Sequence, residues 1–107
     1  MKIAMIGSGY VGLVSGPCFA ELGHDVVCVD NDPAKIARLE AGEIPIYEPG
    51  LEQLVERNVQ AGRLGFTSDL ATAIDGAAAV FIAVGTPTRR GHEHADLTFV
   101  FAAAEAI

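Results

Sequence analysis

An α/β fold, with a parallel sheet carrying helices on both faces, is what this sequence predicts, and three observations predict it. Short apolar runs rich in Val, Ile and Ala alternate with longer stretches of helical periodicity. Glycine or an Asp-Pro pair punctuates most of the junctions between them. Three spaced glycines lie where the first apolar run gives way to the first helical stretch.

The elements follow in order. Residues 2–6, KIAMI, read as a short buried strand. Positions 10–22 read as a helix with Val11, Val14, Cys18 and Leu22 along one face, closed by Gly23 and His24. DVVCVD, residues 25–30, is a second buried strand. Asp32 followed by Pro33 is a helix start, an N-cap candidate before a proline at the first helical position. Ile36 and Leu39 give that helix its apolar stripe, and Gly42 stops it.

EIPIYEPG is then a loop with two prolines, and Pro49 opens another helix in which Leu51, Leu54, Val55 and Val59 share a face until Gly62. LGFTS is a weak strand. Ser68 or Asp69 caps a short helix holding Leu70, Ala73 and Ile74, which ends at Gly76. AAAVFIAV reads as a strong central strand, broken by Gly85-Thr86-Pro87. A polar loop, TRRGHEHA, leads to a final helix from about Asp96 that is still running at Ile107 without a stop signal. The expectation is a truncated sheet: the N-terminal portion of a domain rather than a whole one.

Pro17 conflicts with the first helix. Inside a helix it removes a hydrogen bond at a cost of about 3 kcal/mol, so a bend is expected near residues 13–17, eased by Gly16.

Half of the 107 residues are hydrophobic and 20% are charged, which predicts a packed core. The net charge of −7 argues against nucleic acid or an anionic membrane surface as a partner. Cys18 and Cys28 sit in apolar segments without metal-ligand spacing, so they read as reduced, buried thiols of a cytoplasmic protein. Lys2 and the apolar residues after it lack the cleavage pattern of a signal peptide. The longest apolar run is too short to span a bilayer.

Gly7, Gly9 and Gly12 form G-x-G-x-x-G at a strand-to-helix junction. Gly7 permits the tight turn, Gly9 lets the backbone approach a pyrophosphate, and Gly12 lets helix and strand pack closely. The helix start then offers free N–H groups and a partial positive charge, which is how an acidic domain can hold an anionic cofactor. Asp30 ends the second strand, 18 residues after Gly12. An acid there accepts hydrogen bonds from the adenosine ribose hydroxyls and repels a 2′-phosphate, which favours NAD over NADP. Lys35 is the nearest cation and can reach the same ribose. Together these features predict a Rossmann-like fold.

Gly85-Thr86-Pro87 falls at the carboxyl end of a strand, where ligands bind in open α/β sheets, so the Thr86 hydroxyl is a candidate contact to the cofactor's ribose or nicotinamide side. His92 and His94 flank Glu93, but two histidines so placed in a polar loop read as solvent-exposed rather than as a metal site. Arg89 and Arg90 read as a solvated pair.

Three stretches, MIGSGYVGLVSGPCFAELGHDVVCVD, IPIYEPGL and VGTPTRRGHEHADL, carry a resemblance along the whole length. The chain resembles the N-terminal part of the UDP-glucose/GDP-mannose dehydrogenase family, and PIYEPGL leans toward its UDP-glucose branch. The resemblance implies oxidation of a sugar C6 alcohol to a carboxylate, with two NAD reduced and a cysteine-linked thioester on the way, in a homo-oligomeric protein acting on a UDP-sugar. It implies that Gly7, Gly9, Tyr10, Val11 and Gly12 hold the pyrophosphate, that Asp30 and Lys35 hold the adenosine ribose, and that Thr86 lies near the nicotinamide end. Tyr47-Glu48-Pro49-Gly50 belongs to a characteristic family loop with no role assigned by the sequence. The nucleophilic cysteine and its lysine, asparagine and aspartate helpers lie beyond position 107 in the family, so no catalytic residue is expected here, and the chain by itself is expected to be inactive, with weak NAD affinity and a tendency to self-associate. GHEH and Pro17 depart from the family pattern.

Two alternatives stay open at this stage. One is the same chemistry on GDP-mannose or a UDP-N-acetyl sugar. The other is an NAD-sensing regulatory domain of potassium transport, which would share the glycine loop but is not expected to carry IPIYEPGL.

Overall fold

The structure, a computed structural model, describes residues 1–83. Four strands and four helices alternate as expected: β1 (Lys2–Ile6), α1 (Tyr10–Glu21), β2 (Asp25–Val29), α2 (Pro33–Glu40), α3 (Leu51–Gln60), β3 (Leu64–Thr67), α4 (Leu70–Ile74) and β4 (Ala79–Ile82). All pairings are parallel, in the order β3-β2-β1-β4. The fold is the Rossmann-like α/β sheet that the sequence predicts.

Residues that pair across parallel strands point to the same face, and the register brings Met5, Cys28, Phe66 and Phe81 into one row. On that face Ile3, Met5, Val26, Cys28 and Leu64 pack against Ala20 of α1 and against Leu51 and Val55 of α3. Ile36 and Leu39 of α2 join Leu13 of α1 and Phe66 there. Phe19 of α1 stacks on Phe81, with ring centroids 5.3 Å apart. On the opposite face Ala4, Val27 and Val29 pack against Leu70, Ala73 and Ile74 of α4. Helices thus cover both faces.

Several caps match the sequence reading. The Asp32 carboxylate accepts from Ala34 N at 3.0 Å, and Asp69 does the same for Ala71 N at 3.1 Å. Gly23, Gly42, Gly62 and Gly76 follow their helices with positive φ, the conformation in which glycine pays no Cβ penalty.

Several expectations are corrected. Val11, Cys18 and Leu22 of α1 are exposed; the buried face is Gly12, Leu13, Gly16, Pro17 and Ala20. Close approach to the sheet selects small residues there: a Cβ added at Gly16 would lie 2.8 Å from the Cys28 sulfur. Cys18 is therefore not a buried thiol, whereas Cys28 is, and burial pushes its pKa up to about 12. α1 is one continuous helix from Tyr10 to Glu21 with Pro17 inside it. α3 starts at Leu51 rather than Pro49, because its N-cap, Gly50, has a left-handed φ of 82°. On its inner face Asn58 is fully buried and Val59 is exposed. Among the described residues β4 borders β1 alone, and Val80, Phe81 and Ile82 are partly exposed. No helix among the described residues is long and apolar enough to cross a membrane. The turn with Thr86, the loop with Arg89, Arg90, His92 and His94, and the helix from Asp96 lie outside the described residues.

Candidate functional site

The strand order reverses at β1. The chain leaves β1 toward β2 and β3, then returns to lay β4 on β1's other side. In open parallel sheets ligands bind outside the carboxyl ends of the strands at such a point. Gly7-Ser8-Gly9 leaves β1 at that place, and Ala83 N, just past β4, donates to Ile6 O at 2.7 Å.

Each glycine of the loop has a different physical reason. Gly7 takes a φ of 105° to make the turn, and its N–H donates to Val29 O at 2.7 Å, so that donor is already engaged. A Cβ on Gly12 would lie 2.1 Å from Gly7 O, inside the contact limit of any two atoms, so the helix crosses the loop only because Gly12 lacks a side chain. Gly9 is different: a Cβ there would meet nothing within 4 Å. Among the described residues nothing requires glycine at position 9, and the open space beside it is room for an incoming group.

α1 begins directly after Gly9. Leu13 N donates to Gly9 O at 2.9 Å, and no side chain caps the start. The N–H groups of Tyr10, Val11 and Gly12 therefore have no partner within the helix, as its geometry requires. Tyr10 and Val11 are exposed. Such an end attracts anions through free donors and the helix dipole.

Asp30 stands beside this helix start. Its Oδ2 accepts from the buried Ser8 hydroxyl at 2.5 Å, and its Oδ1 accepts from Asp32 N at 3.0 Å. Lys35 Nζ lies 3.7 Å from Oδ2, so the predicted ribose lysine is also a partner of the predicted ribose acid. Burial by itself raises the Asp30 pKa, but the Ser8 hydrogen bond, the Asp32 N–H and the Lys35 charge outweigh it and hold the carboxyl below the ordinary aspartate range. A carboxylate has about four acceptor positions, so lone pairs are left for ligand hydroxyls.

The sign of the pH effect follows. A carboxyl whose folded-state pKa lies below its unfolded one stabilises the fold above the unfolded value, and that contribution is lost as pH falls through the folded value. An NMR titration should find Asp30 titrating below the ordinary aspartate range, and Ser8→Ala should move its midpoint up. A midpoint that Ser8→Ala leaves in place would exclude the hydroxyl as a cause.

Glu48, from the loop before α3, accepts a hydrogen bond from the Tyr10 hydroxyl at 2.8 Å. That bond, and the carboxylate's charge, push the Tyr10 phenol's pKa up. The structure thus brings Gly7, Gly9, Tyr10, Val11, Gly12, Asp30 and Lys35 to one end of the sheet, while Thr86 lies outside the described residues. Ser8 and Glu48 belong to the same constellation and were missed from the sequence. Ser8 occupies a position that the glycine pattern leaves free, and only YEPG pointed toward Glu48.

A glycine-built helix start and an ionised acid at the end of the second strand suit a dinucleotide. The model of the UDP-glucose/GDP-mannose dehydrogenase family, NAD binding domain, matches residues 1–107. The chain belongs to this family. As part of the UDP-glucose/GDP-mannose dehydrogenase NAD-binding domain, its cofactor is NAD. A UDP-glucose 6-dehydrogenase of Rhizobium meliloti is 65% identical over 107 residues, which are 100% of this chain and 24% of the relative. A solved UDP-glucose dehydrogenase from the hyperthermophilic archaeon Pyrobaculum islandicum superposes with a TM-score of 0.91 at 46% identity, over 98% of this chain and 24% of that one. A GDP-mannose dehydrogenase from Pseudomonas aeruginosa, solved as a ternary complex, superposes with a TM-score of 0.89 at 39% identity, over 96% and 23%. The chain spans about a quarter of the length of these relatives.

Proposed function

We propose that this chain is the N-terminal, cofactor-holding part of a UDP-glucose 6-dehydrogenase that oxidises UDP-glucose to UDP-glucuronate. The 65% identity with the Rhizobium meliloti enzyme along all 107 residues carries the choice of sugar nucleotide. In this reading the pyrophosphate lies on the free N–H groups of Tyr10, Val11 and Gly12, in the space beside Gly9. Asp30 accepts from the adenosine ribose hydroxyls, and Ser8 keeps its carboxylate ionised and aimed. The same negative charge opposes a 2′-phosphate, so NAD is taken rather than NADP. Lys35 offsets part of that charge and offers a donor to the ribose, and Thr86 approaches the nicotinamide end.

Bound there, NAD supplies the hydride acceptor. One hydride transfer takes the C6 alcohol to an aldehyde, and a cysteine thiol adds to it. A second hydride transfer to another NAD leaves a thioester, and water hydrolyses that thioester to the carboxylate and frees the thiol. The nucleophile and the sugar site belong to other parts of the longer protein, which acts as a homo-oligomer in the cytoplasm. The short chain is inactive by itself in this reading.

The test uses the whole protein with NAD and, in parallel, UDP-glucose or GDP-mannose, counting NADH formed per sugar consumed. Two NADH per UDP-glucose, and no turnover of GDP-mannose, is the expected result. Two NADH per GDP-mannose would move the substrate and keep the chemistry. No turnover of either sugar, with NAD bound, would overturn the reading and leave another sugar nucleotide or a sensing role.

A further inference from the structure

The loop around Glu48 is a conspicuous stretch to which the sequence assigns no role. Its structure supplies one. Glu48 is 38 residues from Tyr10 in sequence, yet its carboxylate receives the Tyr10 hydroxyl at 2.8 Å. Tyr10 is the first residue of α1, and its backbone N–H is one of the free donors at the anion-binding end.

The Glu48 end of this contact is well anchored. Leu51 N donates to Glu48 O at 3.1 Å and Leu54 N donates to Gly50 O at 3.1 Å, which tie the loop to α3. Leu51 is buried in the main core beside Val55, so α3 is fixed against the sheet. The α1 end is held by the buried Leu13 and by the close crossing of Gly12 over Gly7, but it has no side-chain cap. Its N-cap is Gly9, which carries no capping side chain, and no acidic residue lies in its first turn. A side chain at position 9 would occupy the open space that a ligand needs, so a capping Ser, Thr or Asp in that place is incompatible with binding. A helix end without a cap frays, and a ligand that must order it binds less tightly.

We propose that Glu48 is a positioning residue for the dinucleotide site: through the Tyr10 hydroxyl it holds the first turn of α1 in its binding conformation, replacing the side-chain cap that Gly9 cannot provide. This rests on the NAD-binding reading of the same helix start. The carboxylate acts through Tyr10 by lowering the ordering cost of binding.

The experiment measures the NAD dissociation constant and thermal stability of the whole protein by calorimetry, for the parent and four variants. Tyr10→Phe and Glu48→Ala each remove the bond, and each should weaken NAD about three- to tenfold, within the range of one hydrogen bond. The double variant should be no weaker than either single one, because both delete one interaction. Glu48→Gln keeps an acceptor oxygen, so it should bind NAD at least as tightly as the parent to within about twofold. A purely structural role would instead lower the melting temperature in proportion to the loss of affinity; here the melting temperature should stay within a degree or two of the parent. Unchanged affinity in the single variants, additive losses in the double one, or a Glu48→Gln variant as weak as Glu48→Ala would each overturn the proposal. A parent that does not bind NAD would instead overturn the reading on which it rests, and a parent that binds while all variants match it would sink the proposal alone.

Discussion

Gly9→Ala is expected to weaken NAD binding strongly while leaving the fold intact, and Gly12→Ala to damage the fold itself. The two positions look equivalent in the motif, yet their surroundings are opposite. At Gly9 the φ is −76° and the ψ is −165°, an extended conformation open to alanine, and an added Cβ meets no atom of the described residues within 4 Å. The unfolded chain also loses freedom when glycine becomes alanine, so stability should hold or rise by up to about 1 kcal/mol. The methyl would instead fill the space beside the helix start, weakening NAD by about 10- to 100-fold. At Gly12 the methyl would sit 2.1 Å from Gly7 O. Helix and strand must move apart, at about 3 kcal/mol or more. Urea denaturation and isothermal titration on the two variants separate the effects. Equal stability losses in both would refute the distinction.

Asn58→Ala should be the most damaging polar substitution among the described residues, lowering stability by about 2–3 kcal/mol. Asn58 is fully buried at the inner face of α3. Its amide nitrogen donates to Glu21 Oε2 at 2.9 Å and to Leu54 O at 2.8 Å. Its carbonyl oxygen accepts from Arg63 Nε at 3.2 Å and Nη2 at 3.0 Å, while Arg63 Nε also reaches Ala20 O at 3.1 Å. One side chain thereby ties the end of α1, the end of α3 and the entry to β3. Alanine removes four hydrogen bonds and leaves the Arg63 guanidinium and the Glu21 carboxylate with fewer partners. Asn58→Asp should cost at least as much at neutral pH, because a second oxygen would face the Glu21 carboxylate and the Leu54 carbonyl. A loss below about 0.5 kcal/mol for Asn58→Ala in urea denaturation would show that the network is dispensable.

α1 and α3 also show where reading the sequence stops. In α3, Leu51, Val55 and Asn58 follow one another at helical spacing and share the inner face, but ranking by hydrophobicity chose Val59 instead. Asparagine is buried there because Glu21, Leu54 and Arg63 satisfy it, and those partners come from other elements. In α1 the buried face consists of Gly, Leu, Pro and Ala residues, while Val11 and Leu22 face outward. The contact distance to β2 decides this, as Gly16 beside Cys28 shows, and no periodicity in α1 encodes that distance.

The candidate site divides along the same line. The glycine loop and Asp30 were legible because each answers a local demand: a tight turn, a close crossing, a donor-rich helix start and an acid at the end of the next strand. Ser8 and Glu48 were not, since their roles exist only after β1 meets β2 and α3 docks beside α1. By itself, then, the sequence determined the alternation of strands and helices, their glycine and aspartate punctuation, and the anion-binding start of the first helix. These are short-range consequences of backbone conformation and hydrogen bonding. Only the tertiary structure decided which face of α1 is buried, which residue completes the buried face of α3, and how Asp30 is held ionised. It also decided what braces Tyr10, because those depend on distances between groups 22 to 38 residues apart in the chain.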